Sequence, residues 1–185
     1  MDEAKLVLAL RDRDPTAARD LLSEYGERLL RSAFLLCGNE AEAQDLVQET
    51  FLQALQSIQR FRGQSCVYTW LQGILLNLNR HYHRERRRMI FDEALVERTL
   101  GAAEDPPLTM DVAASTSAVA QALTRLSRAH REVLVLRFYE NMKLDEIARQ
   151  LGISRGTVKS RLHYALEQMH RLLPTEMNLF GAGGT

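Results

Sequence analysis

Residues 144–166 read LDEIARQLGISRGTVKSRLHYAL and carry the most informative pattern in the chain. The spacing predicts a short helix that ends at Gly152, followed by a longer helix that is capped by Ser154. Ala148, Gly152 and Val158 stand where a helix-turn-helix needs a small residue at the helix crossing, a positive-φ turn residue and an apolar anchor. The pattern therefore predicts a helix-turn-helix.

The longer helix of this motif separates apolar from polar side chains. At about 100° per residue its apolar residues fall on one face; these are Val158, Leu162, Ala165, Met169 and Leu172. The opposite face carries Ser160, His163, Tyr164 and Glu167, flanked by Arg155 and Lys159. Its Lys, Ser, His and Tyr side chains can donate hydrogen bonds to base edges and phosphates in a major groove. The face therefore favours DNA binding over an ordinary helical hairpin with a polar outer face.

A basic stripe is predicted on an earlier helix, which runs from about Cys66 to Arg88 with Ser65 as its N-cap. Its buried face is predicted to consist of Val67, Leu71, Ile74, Leu75, Leu78 and Tyr82. Its opposite face carries Arg80, His83, Arg84 and Arg87, with Asn77 and Arg88 at the edge. Only Glu85 offsets this charge, so a phosphate-binding stripe is favoured over a solvated basic face.

The helix predicted from about Glu40 to Phe61 combines a core stripe with a polar outer face. The core stripe consists of Val47, Phe51, Ala54, Leu55, Ile58 and Phe61. The outer face shows Glu42, Asp45, Gln48, Glu49, Leu52, Gln53 and Gln56. An apolar Leu52 inside a carboxylate and amide surface is compatible with a protein-docking patch, but single exposed leucines are common. From the residues alone, an ordinary solvated face is favoured here.

The rest of the chain is also predicted to be helical, apart from one acidic segment. Asp14-Pro15 is typical of a helix start, and Cys37-Gly38-Asn39 ends that helix. Helical periodicity fades over 91–117, where acidic and small residues dominate, and returns over 118–173. The predicted fold class is all-α, with two small helical domains, the second carrying the helix-turn-helix, joined by a flexible acidic linker.

The charge of the chain alternates along its length. The 24 basic and 24 acidic side chains of the 185 residues give a net charge of zero. Residues 1–50 hold 6 basic and 11 acidic side chains, residues 51–90 hold 7 and 1, residues 91–117 hold 1 and 6, and residues 118–185 hold 10 and 6. Two separate basic segments are typical of a protein with an anionic partner such as nucleic acid.

Several function classes find no support in the sequence. No apolar run approaches the roughly 18 residues of a membrane span, and no signal peptide is evident. Two cysteines, Cys37 (expected buried) and Cys66 (expected exposed), predict no disulfide framework and favour a cytoplasmic location. The histidines are scattered, and no metal-ligand spacing, nucleotide-binding loop or nucleophile elbow occurs. We therefore predict no enzymatic activity, no metal, no cofactor and no small-molecule substrate.

Four segments stand in a fixed order along the chain. They are Asp45-Leu-Val-Gln-Glu-Thr-Phe51, Arg60-Phe-Arg-Gly63, Tyr68-Thr-Trp-Leu71 with Asn77, and Glu146-Ile-Ala148 through Gly156-Thr-Val-Lys-Ser-Arg-Leu162. Together they resemble the extracytoplasmic-function (group IV) sigma factors of bacterial RNA polymerase, over about residues 5–173. The resemblance implies a non-catalytic polymerase subunit that directs promoter-specific transcription initiation, reads the minus-thirty-five and minus-ten elements and assists DNA melting.

The resemblance also implies domain boundaries and partners. A sigma-two-like domain is expected over 1–90, a linker over 91–117, a sigma-four-like domain over 118–175 and a disordered tail over 176–185. The implied partners are core RNA polymerase, through its β′ clamp helices and β flap, promoter DNA and an anti-sigma factor. A membrane-anchored anti-sigma factor would hold the protein on the cytoplasmic side of the inner membrane.

The family's roles fall on individual residues of this chain. Core polymerase binding falls on Asp45, Gln48, Glu49, Leu52 and Gln53. Minus-ten DNA binding falls on Arg62, Trp70, Asn77, Arg80, Arg84 and Arg87, with Asn77 near the pocket for an unstacked base. Minus-thirty-five DNA binding falls on Arg155, Thr157, Lys159, Ser160, His163 and Tyr164.

One alternative function stays open, a free-standing dimeric helix-turn-helix regulator whose N-terminal half is a dimerisation or sensing module. The basic stripe in that half favours the sigma factor, because a sensing module does not need it. The chain also departs from the family pattern at Val67, at Gln72-Gly73 and at His163-Tyr164. The promoter sequence that a relative reads therefore does not transfer to this chain.

Overall fold

The computed structural model describes residues 2–94 and 118–173, with side chains over 2–85 and 118–173. Every regular element in these ranges is helical, which confirms the predicted all-α fold. The described residues divide into two compact units, 2–33 with 40–94 and 34–39 with 118–173. Residues 95–117, most of the expected linker, and residues 174–185, which include the expected tail, lie outside the described residues.

Four α-helices form within residues 2–94. They are α1 (Glu3–Arg11), α2 (Pro15–Cys37), α3 (Glu40–Ser57) and α4 (Val67–Ala94), with one 3-10 turn at Ile58–Arg60 between α3 and α4. α4 continues past its predicted end at Arg88, so residues 91–94 of the expected linker are helical.

The ends of α2 are set by local sequence, as predicted. The Asp14 carboxylate accepts hydrogen bonds from the backbone N–H and the hydroxyl of Thr16, both at 2.8 Å. These two bonds hold the pKa of Asp14 below its ordinary value, because they favour the charged carboxylate. At the other end Gly38 takes a φ of 77°, a left-handed conformation that stops the helix.

The start of α4 differs from the prediction, since the helix begins at Val67 and Ser65 is not its cap. Cys66 occupies the capping position, and its Sγ lies 3.5 Å from the backbone N of Thr69. The backbone N–H of Val67 donates to the carboxylate of Glu3 at 2.6 Å. A carboxylate from α1 therefore satisfies an N-terminal N–H of α4, which no local capping signal could predict.

The core face of α4 contains polar groups where the sequence predicts only apolar ones. Val67, Leu71 and Leu75 are buried as predicted. Gln72 is 1% exposed, and Asn79 is completely buried. The predicted stripe therefore omits two amides.

The prediction that Tyr82 is buried is wrong, because this side chain is 40% exposed. Its hydroxyl group reaches Glu42 of α3 at 3.3 Å, at the edge of the packed interface between the two helices. A tyrosine at such an edge keeps its ring against the protein and its polar end near water. Ile74 and Leu78, also assigned to the buried stripe, are half-buried.

Four further α-helices form within residues 118–173. They are α5 (Ala118–Thr124), α6 (Arg128–Leu134), α7 (Leu144–Leu151) and α8 (Arg155–Leu172), with a π-helical turn at Val135–Tyr139 after α6. The predicted helix end at Gly152 is confirmed by its φ of 67°, and two further breaks occur where Ser127 caps α6 and where Asn141 takes a φ of 54°.

The second unit packs α8 against α6 and α7 through an apolar face. Val158, Leu162, Ala165 and Met169 of α8 are buried, as the periodicity predicts. Arg131 of α6 is also buried, and its guanidinium donates to the backbone carbonyls of Leu123, Thr124 and Leu126 at 2.8 to 3.1 Å. Those carbonyls lie at and just beyond the end of α5, so the arginine supplies hydrogen bonds that the helix end lacks.

Candidate nucleic-acid and protein interfaces

The predicted helix-turn-helix is formed by α7 and α8. α7 ends at Gly152, whose φ of 67° and ψ of 34° are left-handed. A Cβ at this position would meet no atom within 4 Å, so the conformation rather than crowding favours glycine. Ser154 then caps α8, because its hydroxyl accepts from the backbone N–H of Thr157 at 3.0 Å. Val158 is fully buried beneath the turn.

The outward face of α8 presents most of the residues assigned to minus-thirty-five DNA. Exposed members are Arg155, Lys159, Ser160, His163 and Tyr164, and Thr157 is half-buried. Tyr164 is 57% exposed and contacts the His163 ring edge-on, at 5.5 Å between centroids. The face therefore offers donors and an aromatic edge together, which is the chemistry that base edges and phosphates accept.

Two side chains on this face lie near carboxylates. Arg155 Nε is 3.6 Å from the Asp145 carboxylate of α7, and His163 Nε2 is 3.8 Å from the Glu167 carboxylate. The first contact joins the two helices of the motif. Exposed pairs of this kind are worth about 0–1 kcal/mol, so DNA phosphates can compete for Arg155.

Residues assigned to minus-ten DNA extend from the loop 61–66 along α4. Arg62 is exposed in that loop, and the Trp70 ring packs on Phe61 with 4.9 Å between centroids. Trp70, Asn77 and Arg84 recur every seven residues and so share one face of α4. Asn77 and Arg84 are exposed on this face, Trp70 and Arg80 are half-buried, and the Arg87 side chain lies outside the described part.

The outer face of α3 carries the residues assigned to core polymerase. Asp45, Gln48 and Glu49 are exposed, Leu52 is 54% exposed and Gln53 is half-buried. Gln53 donates to the Glu49 carboxylate at 3.4 Å. The opposite face holds Phe51, Ala54 and Ile58 in the core, with Val47 and Leu55 half-buried.

A groove of about 200 Å³ runs beside this outer face, between α3 and α4. It is lined by Glu42, Asp45, Leu46, Glu49, Leu78, His81, Tyr82 and Glu85. The sequence interpretation missed the contribution of α4 to this acidic surface. The exposed Tyr82 is one of the lining residues, and helical periodicity does not predict its exposure.

The described residues contain no candidate metal site, because histidine, cysteine and carboxylate side chains do not cluster there in groups of three or more. In the same ranges, no helix is long and apolar enough to cross a membrane. Cys37 is buried and Cys66 is exposed, as predicted.

Comparison with known proteins agrees with this arrangement. Residues 21–89 match the family model of Sigma-70 region 2, and residues 122–171 match that of Sigma-70, region 4. The chain is 33% identical over 158 residues to the ECF RNA polymerase sigma factor SigL of Mycobacterium tuberculosis, covering 84% of this chain and 88% of SigL. The chain belongs to the ECF sigma factors. The predicted resemblance is confirmed, and with it the prediction of a non-enzymatic transcription-initiation subunit.

Two solved structures resemble this sigma factor. One is RpoE of Bartonella quintana in complex with the anti-sigma factor NepR, with a TM-score of 0.65, 25% identity, and coverage of 83% of this chain and 96% of RpoE. The other is CnrH in complex with the cytosolic domain of CnrY, with a TM-score of 0.64, 25% identity, and coverage of 92% and 96%. The region 2 match in the N-terminal half removes the basis for the alternative of a free-standing regulator.

Proposed function

We propose that this sigma factor binds core RNA polymerase through the outer face of α3 and directs initiation at promoters read by α4 and α8. The observation that carries the proposal is the separation of exposed charge between helices. α3 presents Asp45, Gln48, Glu49 and Leu52, whereas α4 and α8 present mainly donors. An anionic surface cannot bind DNA phosphates, so the α3 face suits a basic protein partner.

The α3 face suits the β′ clamp helices of the polymerase. Leu52 supplies an apolar contact in the middle of carboxylates and amides, and interfaces commonly combine an apolar centre with a polar rim. The Gln53–Glu49 hydrogen bond orders part of that rim before binding. The second unit is proposed to bind the β flap.

The α8 face suits the minus-thirty-five element. α8 follows the turn at Gly152 as the second helix of the helix-turn-helix. In this motif the N-terminal residues of the second helix contact base edges in the major groove. We assign Lys159 to phosphates or a guanine, and Ser160 and His163 to base edges.

The loop 61–66 and the exposed face of α4 suit the minus-ten element. Arg62 and Trp70 stand at the start of this surface, Asn77 two turns further, and Arg80, Arg84 and Arg87 beyond. An amide can hydrogen-bond the edge of an unstacked base, and arginines can hold the adjacent phosphates.

An anti-sigma factor is proposed as the regulator of this protein. Support comes from the two structural neighbours, each solved with an anti-sigma partner. The proposal includes anchoring of that partner in the inner membrane, with the sigma factor on its cytoplasmic side until release.

Run-off transcription tests the proposed function directly. Core RNA polymerase, with and without this protein, is supplied with fragments of the host genome, and the 5′ ends of the transcripts are mapped. We expect new start sites that share sequence elements about 10 and 35 base pairs upstream, as the names of these elements define. Absence of new transcripts, together with binding of a palindromic operator by a dimer, would instead support the regulator.

A further inference from the structure

Both ends of α1 hydrogen-bond to the two ends of the loop 61–66. At the far end of the loop, the Glu3 carboxylate accepts from the backbone N–H of Val67 at 2.6 Å. At the near end, the Arg11 guanidinium donates to the backbone carbonyl of Phe61 at 2.5 Å. Glu3 and Arg11 are the first and last residues of α1. They bond to the backbone groups that flank the loop, the Phe61 carbonyl and the Val67 N–H.

A second hydrogen bond joins α1 to the segment that leads into the loop. The Gln59 side chain donates to the backbone carbonyl of Arg11 at 2.8 Å, so the side chain and the main chain of Arg11 both bond to the segment that leads into the loop. Glu3 and Arg11 are separated by about 12 Å along the helix axis and by about 80° around it. α1 therefore fixes the distance between the backbone carbonyl of Phe61 and the backbone N–H of Val67.

α1 is itself held firmly. Leu6, Val7 and Leu10 are buried in the core of the first unit. Glu3 also lies 3.5 Å from the Tyr25 hydroxyl, and the Tyr25 ring is 6.0 Å from that of Tyr68. Burial first, and then the Glu3 carboxylate, raise the pKa of Tyr25 to about 12, so its hydroxyl stays protonated and faces the carboxylate as a donor.

Between these hydrogen bonds the loop is open to solvent. Residues 62–66 are all exposed, and Gly63 takes a φ of 66°. The hydrogen bonds at its two ends restrict the conformations of the loop. A loop restricted in this way loses less conformational entropy on binding. α1 also lies ahead of residue 21, where the match to the region 2 family model begins.

We propose that Glu3 and Arg11 are positioning residues for capture of the minus-ten strand, which they assist by holding the loop 61–66 at a fixed separation between Phe61 and Val67. This inference rests on the proposed minus-ten role of the loop. Neither residue contacts DNA in this scheme. They act through Arg62 and Trp70, which the loop and the first turn of α4 present to the strand.

The test uses holoenzyme formed from core RNA polymerase and the full-length protein. The probe is a fork-junction DNA from a promoter mapped by run-off transcription, duplex upstream and single-stranded over the non-template minus-ten element. The same DNA with a scrambled minus-ten strand gives the background. The variants are Glu3→Ala, Arg11→Ala and Glu3→Gln, with Lys5→Ala as the matched control, because Lys5 is an exposed charged residue of the same helix.

We expect Glu3→Ala and Arg11→Ala each to weaken binding of the fork junction about tenfold, the loss that follows from removal of one hydrogen bond. Glu3→Gln should stay within about twofold of wild type, since amide and carboxylate oxygens cap helices about equally well. Lys5→Ala should match wild type. All variants should bind core polymerase equally and keep their circular dichroism, and hydrogen exchange over 61–67 of the free alanine variants should be faster.

The outcomes separate this proposal from the proposed function. A wild-type holoenzyme that does not distinguish the promoter strand from the scrambled one contradicts the proposed function and this inference with it. A wild-type holoenzyme that distinguishes them, with alanine variants that bind equally well, overturns this inference alone. Weaker binding without faster loop exchange also overturns it, because the effect would then not pass through the loop. If one alanine variant does not fold, the other decides.

Discussion

The side-chain amide of Gln72 donates a hydrogen bond of 2.7 Å to the hydroxyl of Ser32, and this pair joins α4 to α2 in the core. Ser32 is completely buried and Gln72 is 1% exposed. A buried polar pair of this kind contributes less through the bond itself than through the cost of leaving one partner unpaired.

Removal of one partner should therefore destabilise the first unit. We expect Ser32→Ala to lower the free energy of unfolding by about 1–3 kcal/mol, because the Gln72 amide would lose a buried acceptor. Urea denaturation followed by circular dichroism measures the change. The double variant Ser32→Ala/Gln72→Leu is the control, and a loss as large as the sum of the single losses would show that the two residues are not coupled.

Asn79 should behave in the opposite way. This residue is completely buried, and neither its amide nitrogen nor its amide oxygen has a hydrogen-bond partner among the residues that the structure describes. Asn79→Leu, of similar size, should raise the free energy of unfolding by about 1–2 kcal/mol, because it removes an unsatisfied buried amide. A lower urea midpoint for this variant would show that the amide is in fact satisfied.

Charge reversal on the outer face of α3 should weaken polymerase binding without unfolding the protein. Asp45→Lys/Glu49→Lys changes two exposed positions, and such changes usually shift stability by only about 0.5 kcal/mol. Like charges brought together in an interface cost several kcal/mol. A pull-down of core polymerase measures binding, with Glu24→Lys/Glu27→Lys on α2 as the control of equal charge. Equal binding by the folded Asp45 and Glu49 variant would place the docking surface elsewhere.

Substitutions on the exposed face of α8 should change base preference. We expect Ser160→Ala and His163→Ala to alter which minus-thirty-five bases are selected, by about 1–3 kcal/mol at single positions. Lys159→Ala should weaken binding to all sequences if it contacts phosphate, or relax one position if it contacts a guanine. Selection from a randomised minus-thirty-five library reports both effects. His170→Ala, at the exposed end of α8, serves as the control, and unchanged selectivity in the Ser160 and His163 variants would refute their placement.

Asn77 should matter more for promoter opening than for closed-complex formation. Extrusion of a base costs a few kcal/mol, which a pocket on the protein must offset. With Asn77→Ala we expect lower permanganate reactivity of thymines near the start site, at unchanged closed-complex affinity. The same DNA with a pre-melted minus-ten region should restore activity. Normal opening of duplex DNA by this variant would count against the assignment.

Local signals predicted most of the secondary structure of this sigma factor. Asp14-Pro15 and Gly38 set the ends of α2, and Gly152 with Ser154 set the turn of the helix-turn-helix, because caps and left-handed residues act within one turn. Exposure of the α3 and α8 faces followed from helical periodicity in the same way. The roles of these faces came from the family resemblance, since exposure alone does not name a partner.

Long-range contacts account for what the sequence did not predict. The true start of α4 depends on Glu3, which is 64 residues away from Val67. The exposed Tyr82 and the acidic groove beside it arise between α3 and α4, and the buried Gln72 depends on Ser32 of α2. Periodicity within one helix carries no information about the residues that another helix brings to it.

Trp70, Asn77 and Arg84 recur at intervals of seven residues, so α4 presents them at equal distances along its axis. Seven residues advance about 10.5 Å along a helix, so the three side chains span about 21 Å along one line of α4. A DNA strand bound along this line would therefore meet an aromatic ring, an amide and a guanidinium group in that order. Insertion of one residue between Asn77 and Arg84 would turn the arginine by about 100° and break that register.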